Sequence, residues 1–273
     1  MEHAIQKLLS SDLEEERQIG DTIKSQGRKI TPTLIRYADE NSYLIQTREE
    51  FQKRVKKASA SKARPPQAGK VSAKLLNFDE QAEAKLATSL LYHYDNEPHY
   101  KIAKRVQQLS RPSLEQTIKS ALGHLGPHDS TVRELEFLDY TFEFVLDYGA
   151  YREFKRHRMH SYIPQNLTVE LGYIVPQLIQ NAGLESLYLS AMQISEETYR
   201  KLSQVSPRVA EYVVTHAHLR RVISKMNLRE CYHFFKLRTQ PQAHFTIQEA
   251  SRQALEEVRS IHPLLVDYIQ TRE

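Results

Sequence analysis

The chain has 273 residues, of which 40% are hydrophobic and 26% charged, with a formal net charge of +4. That length holds one large domain, or one domain with a substantial appendage, and the composition is ordinary for a helix-rich globular protein. The charge permits a phosphate-bearing ligand without arguing for DNA, the single Cys231 rules out an intrachain disulfide and fits a reducing compartment, and no apolar run is long enough to span a membrane.

Residues 3–26 read as helical, with Ile5, Leu8, Leu9, Ile19 and Ile23 at roughly helical spacing and Ser11 or Asp12 as cap of a second helix. The N-terminal segment turns acidic and is not read as a signal peptide, so the cytoplasm is the expected location. Pro32 marks a break or a helix start. Residues 52–70 carry seven Lys and Arg with Pro65, Pro66 and Gly69, and offer almost nothing apolar to bury. They read as a solvated basic linker; a nucleic-acid arm is the sharper alternative, but no aromatic residues are interleaved for base stacking.

A strand is predicted at 71–78, a helix at 79–92, and helical patterns at 98–109 and 113–122, followed by a loop at 123–130. Residues 138–147 alternate and are rich in Tyr, Phe and Thr, the strongest strand pattern in the chain. Helices are predicted from about 149 through 156, near 195–204, and at 207–224, 227–237 and 244–260. Many helices and few strands indicate an α+β fold with helices packed on a small sheet.

The chain contains an internal repeat. Residues 28–38 (RKITPTLIRYA) match 259–269 (RSIHPLLVDYI), pairing Arg28 with Arg259, Ile30 with Ile261, Pro32 with Pro263, Leu34 with Leu265 and Tyr37 with Tyr268. An earlier pair, residues 3–8 and 233–237, keeps nearly the same spacing. The repeat implies a helical tail at 1–51 that resembles the end of one domain, a linker at 52–70, and a fuller version of that domain at 71–273, with Met1 inside a repeat unit.

Two clusters carry candidate chemistry. In residues 152–158, Arg152, Lys155, Arg156 and Arg158 place four cations around His157. Guanidinium groups match two oxygens of a phosphate with their donor fork; the bland alternative is a solvated basic face paired with local glutamates. In residues 226–238, Leu228, Cys231 and Phe235 form an apolar stripe, while Arg229, His233 and Lys236 form a polar one. Asn227 stands at the helix start, where it can act as a cap, Arg238 stands at its end, and Cys231 reads as core. No His or Cys spacing suits a metal, and there is neither a glycine-rich phosphate loop nor a serine-hydrolase elbow.

Together, in order, these clusters resemble the two signatures of flavin-dependent thymidylate synthases. The first is Arg-His-Arg, seven residues, then Ser, reached here by a strand, a helix, and then Arg156, His157 and Arg158. The second runs Asn-x-Arg, a helix ending Leu-Arg, then Ala-Gln-x-Glu-Ile, and is similar to NLRECYHFFKLRTQPQAHFTIQEA. The resemblance covers about residues 71–273 and implies helices on a small, mainly antiparallel sheet. It implies methylation of dUMP to dTMP with FAD, NADPH and methylenetetrahydrofolate, in a homo-oligomer whose sites are shared between subunits. No enzyme cysteine takes part in that chemistry.

Carried over by position, Arg156, His157 and Arg158 match flavin and nucleotide contacts, and Asn227 and Arg229 match FAD-binding positions. Arg238 matches the arginine that contacts dUMP and orients its ring, with Arg158 a second substrate contact. His233 stands where the family usually has Asn and can still donate a hydrogen bond. The nucleotide side departs from the pattern: Pro164, Asn166 and Thr168 replace an acid, the serine and an arginine, Glu153 replaces a Gln, and the flavin-contacting histidine falls near Thr131, with His128 close by. The resemblance therefore implies a partly degenerate copy that draws missing residues from an intact partner copy. A non-catalytic copy that supports assembly of a pseudo-tetramer, and a nucleic-acid-binding protein, are the alternatives.

Overall fold

A computed structural model describes residues 1–58 and 69–271, which divide into two compact units. The first comprises residues 1–65 with 201–212, and the second comprises 66–200 with 213–273.

The second unit is built on the strand whose alternation is plainest. In β2 (Asp139–Asp147), Tyr140, Phe142, Phe144 and Leu146 are all buried, because alternate residues of a strand share a face. β2 pairs antiparallel with β1 (Ser72–Asn77) on one side and β4 (Leu219–Asn227) on the other, and β3 (Ser161–Pro164) pairs antiparallel with β4. The sheet order is β1-β2-β4-β3, the small antiparallel sheet implied by the resemblance.

Helices of this unit are α4 (Ala82–Tyr94), α5 (His99–Gln107), α6 (Arg111–Leu122), α7 (Tyr148–Phe154), α8 (Gln177–Asn181), most of α9 (Glu185–Val205), α11 (Leu228–Arg238), α12 (Phe245–Ile261) and α13 (Pro263–Val266). α11 lays Phe235 against Phe142, with ring centroids 6.5 Å apart, and Phe234 against Phe144 at 6.3 Å. Phe154 joins the cluster 5.1 Å from Phe144 and 5.7 Å from Phe234. Fully burying each such ring contributes on the order of 2–3 kcal/mol, so this cluster is what fixes α7 and α11 on the sheet. α12 covers β1 and β2 with Ala250, Ala254 and Val258. Its Gln253 and Glu257 side chains accept hydrogen bonds from the β1 edge amides of Ala73 and Leu75, each at 3.0 Å.

The first unit holds α1 (Glu2–Leu9), α2 (Glu14–Ile30), a 3-10 turn at Pro32–Ile35, α3 (Ser42–Ala58) and α10 (Pro207–Ala210). Ile5, Leu9, Ile35 and Ala38 form its small core. Arg208 of α10 meets Asp12, just before α2, and Glu16 within it, each at 3.4 Å.

Four expectations change. The helix predicted at 207–224 is instead the short α10, a 3-10 turn and then β4, because Arg220 and Ser224 occupy its inward positions and mask the two-residue alternation. The helix predicted through 156 ends at Phe154, so Arg156 lies in the following turn and does not share a helix face with Arg152. Residues 52–58 of the segment read as a linker continue α3, and residues 59–68 lie outside those described. Residues 201–212, read with the C-terminal domain, group with the N-terminal helices.

Candidate functional site

Two strand-to-helix corners build the site. At the end of β2, the Asp147 carboxylate accepts the Ala150 amide at 2.7 Å, caps α7, and sends the chain into the 155–160 turn. At the end of β4, Asn227 Oδ1 accepts the Glu230 amide at 2.9 Å and starts α11. The two corners lie at opposite ends of the antiparallel β2–β4 pair, Asp147 opposite Leu219 and Asn227 opposite Asp139. α7 and its turn lead the chain back to Ser161, opposite Lys225 on β4, and so bring His157 to Glu230.

The result is a buried polar chain. The imidazole Nδ1 of His157 lies 2.7 Å from Glu230 Oε1, and its Nε2 accepts Nε–H of Arg238 at 2.8 Å. Since arginine only donates, His157 carries its proton on Nδ1 and donates it to Glu230. Burial holds His157 below the ordinary histidine value, opposed by Glu230 and assisted by Arg238. Burial pushes the Glu230 carboxyl upward, but the hydrogen bond from His157 and the neighbouring His160 outweigh it and bring the group down to about 2. His160 Nε2 stands 3.4 Å from the same Glu230 oxygen, without hydrogen-bond geometry. At the other end, Arg238 Nη1 meets Glu153 Oε2 at 2.6 Å and Nη2 donates to the Glu153 carbonyl at 3.2 Å. All three guanidinium nitrogens are thus engaged inside the protein.

His157, His160 and Glu230 are close enough to suggest a metal. The Arg238 bond argues otherwise. A cation on Nδ1 of His157 would force the ring proton onto Nε2, directly against the Arg238 N–H. The trio is better suited to a hydrogen-bonded support.

On the outer side of α11 lies a cleft of about 490 Å³. Its walls combine Asn227, Arg229, Glu230, His233 and Lys236 with Met159, the 125–131 loop and the 268–270 segment. Arg229 is held by Glu136 at 2.6 Å and by the Thr131 carbonyl at 3.2 Å, while Lys236 binds the Pro127 carbonyl. These bonds moor the loop to α11. His128 and Thr131, singled out as positions near a flavin-contacting histidine, both line the cleft.

The sequence candidates therefore separate. Asn227, Arg229 and His233 meet in the cleft; His157 lies buried behind it; and Arg238 is buried outside its lining. Arg156 and Arg158 are exposed, and with Arg152 and Lys155 they form no salt bridge among the described residues, so the reading of a face paired with local glutamates does not hold. The local glutamate, Glu153, is taken by Arg238. Lys155 instead sits 5.5 Å from the Tyr151 ring centre. Sequence reasoning missed Glu230 and His160. Glu230 falls three residues after a capping Asn, where an acid reads as helix-start chemistry; the three-residue spacing of His157 and His160 was the available signal. Cys231 is buried core, as expected, with its thiol pushed well up by burial.

Comparisons with known proteins agree with this architecture. A UPF0159 protein of Chlamydia muridarum is 26% identical over 99% of this chain and 53% of its own length, and one of Chlamydia pneumoniae is 25% identical over 96% and 51%. The chain thus spans about half the length of these relatives. A flavin-dependent thymidylate synthase of Sulfurisphaera tokodaii is 32% identical over 50% of this chain and 56% of its own. Among solved structures, a UMP/dUMP methylase from Streptomyces cacaoi bound with 5-Br dUMP shares the fold, with a TM-score of 0.58 at 14% identity over 75% of this chain and 96% of that one. The family model described as thymidylate synthase complementing protein matches residues 74–264, and the chain belongs to that family.

Proposed function

We propose that this chain forms the flavin side of a site that methylates dUMP to dTMP with FAD, methylenetetrahydrofolate and NADPH, as a partly degenerate copy sharing sites with a partner copy. The observation that carries this reading is the cleft at the start of α11, where Asn227, Arg229 and His233 converge, beside a guanidinium, Arg238, that is already satisfied internally. The cleft's donors fit a flavin nucleotide. Asn227, His233 and Lys236 are polar groups suited to a heteroaromatic ring and phosphates, Leu125, Leu237 and Ile269 supply apolar wall, and Arg156 and Arg158 offer unpaired positive charge close to Met159. FAD, when bound, supplies the redox and one-carbon transfer chemistry; these residues bind and orient it. Names of relatives that include flavin-dependent thymidylate synthase support the same assignment.

The nucleotide side supports only a supporting role for this chain. Arg238 turns inward, and Pro164, Asn166 and Thr168 offer neither a carboxylate nor a guanidinium. The second reading, a non-catalytic copy retained for assembly, is favoured by that same inward Arg238. Two measurements decide. The purified chain is expected to retain FAD and to release no tritium from C5-labelled dUMP when given NADPH and methylenetetrahydrofolate. Robust turnover by the chain alone overturns the shared-site reading, and failure to retain FAD overturns the flavin assignment in favour of the assembly role.

A further inference from the structure

The internal repeat is present in the backbone. α2 and α12 are each 17 residues long and begin and end at the same separation in sequence. Each is followed by one residue of nearly the same conformation, Thr31 at φ −137° and ψ 61° and His262 at φ −133° and ψ 61°. A proline then opens a four-residue turn in both, Pro32–Ile35 and Pro263–Val266. The hydrogen bonds repeat as well. Thr31 N to Gly27 O at 2.7 Å answers His262 N to Val258 O at 2.8 Å, and Leu34 N to Thr31 O answers Leu265 N to His262 O, both at 3.1 Å.

What differs is the cover. In the C-terminal copy, Ala250 and Ala254 face the sheet and are fully buried, as is Leu265. Their counterparts Ile19, Ile23 and Leu34 are 46%, 41% and 66% exposed, and Ile30, the counterpart of Ile261, is 80% exposed. The adjoining face of α2 is already used, since Gly20 lies against Leu8 and Leu9, and Gly27, the counterpart of Val258, against Ile35. The bare residues Ile19 and Ile23 answer Ala250 and Ala254 of the face that α12 lays on β1 and β2. Gln26 stands where Glu257 accepts a β1 edge amide. Tyr37 corresponds to Tyr268, which lines the cleft.

We propose that residues 14–39 are the closing helix and cleft wall of a second domain of this family, and that Ile19 and Ile23 dock on that domain's four-stranded sheet while Ile30 and Leu34 pack into the helices of the same core. The occupant follows from the equivalent contact within this chain, where the matching face is covered by a family sheet. It also follows from length: the chlamydial relatives match this chain almost throughout and have nearly half their own length left over, room for one more such domain. Docking on another copy of this chain is disfavoured because its own sheet already carries α12. The proposal is independent of the reaction catalysed.

The test uses one double substitution in two intact proteins. I19D/I23D in this 273-residue chain is expected to leave the thermal midpoint within about 2 °C of wild type, as surface changes do. Aspartates at the two aligned positions of the full-length Chlamydia muridarum protein are expected to lower hydrogen-exchange protection in the part this chain does not match by at least about tenfold, because they put charge into a buried face. Loss of stability in the isolated chain shows that the stripe belongs to the first unit's own packing and overturns the proposal. Unchanged protection in the full-length protein, or protection lost only where this chain matches it, overturns it as well.

Discussion

Replacing Glu153 by glutamine separates the two roles that Arg238 can have. The carboxylate is three-quarters buried, its partner nine-tenths buried, and the closest contact is 2.6 Å. Burial already presses on the Arg238 charge, and Arg156 adds repulsion. With charge centres about 4 Å apart and an effective dielectric near 20, the attraction is ~4 kcal/mol. Glutamine keeps a neutral acceptor worth roughly 1 kcal/mol, so the net loss is about 2–3 kcal/mol, below the range for deleting a partner outright. That corresponds to a midpoint lowered by roughly 5–10 °C for a domain of this size. The effect on ligand binding runs the other way. A guanidinium released from its internal carboxylate can meet an anionic nucleotide, and one charge-assisted bond tightens dUMP binding by about tenfold or more. Calorimetric unfolding and dUMP titration of E153Q check the two signs. A variant as stable as wild type, or one that binds dUMP no more tightly, refutes the view that Glu153 holds Arg238 out of use.

His218 gives a pH dependence. Burial holds it down to about 4, so the folded chain keeps it neutral while the unfolded chain protonates it from about 6.5 downward. Its contribution is whole above pH ~6.5 and is lost as pH falls toward 4, about 2 kcal/mol by pH 5; urea melts should show this slope, and His218→Gln should flatten it. Glu230, also depressed, is stabilising above about pH 4.5 and fails only as pH drops toward 2, so its share of acid loss should follow that of His218. Arg229→Ala should weaken FAD retention in equilibrium dialysis by roughly tenfold and more than Lys236→Ala does, since Arg229 joins both Glu136 and the Thr131 carbonyl whereas Lys236 holds the Pro127 carbonyl alone. Cys231, fully buried with its thiol pushed up, should resist a thiol reagent until urea unfolds the chain.

Periodicity revealed those elements whose buried face is wholly apolar. β2 announced itself because Tyr140, Phe142, Phe144 and Leu146 alternate without exception, and the first strand was legible through residues 71–78. β4 did not, although it is central to the sheet, because Arg220 and Ser224 share its inward face with Val222 and Met226. Arg220 is accommodated there by stacking 4.3 Å from the Tyr151 ring and by donating to the Gln165 carbonyl, contacts that no local pattern encodes. β3 is four residues long and ends in proline, too short for alternation to register. In the site, residues on one helix were legible as a group: Asn227 at the helix start and Arg229, His233 and Lys236 on its polar stripe line one cleft. The network that joins His157, Glu230, Arg238 and Glu153 was not, since its two segments lie far apart in sequence and their partnership depends on the chain returning from α7 to pair β3 with β4.

That network also accounts for how the two halves of the site can differ. A buried arginine must have an anion or several acceptors, since leaving it unpaired costs several kcal/mol. In a site that receives a nucleotide, the ligand can supply part of that need only when it is bound. Here Glu153 and His157 supply it permanently, so Arg238 is satisfied in the free protein. The consequence reaches the cleft through His157. Because its Nε2 is held by Arg238, its Nδ1 proton is fixed on Glu230, and Glu230 is itself part of the cleft wall at the start of α11. Closing the Arg238 side therefore rigidifies the side that carries Asn227, Arg229 and His233. The same contact that takes the arginine out of use holds the open cleft in shape, as the proposed division of ligands between this copy and a partner requires.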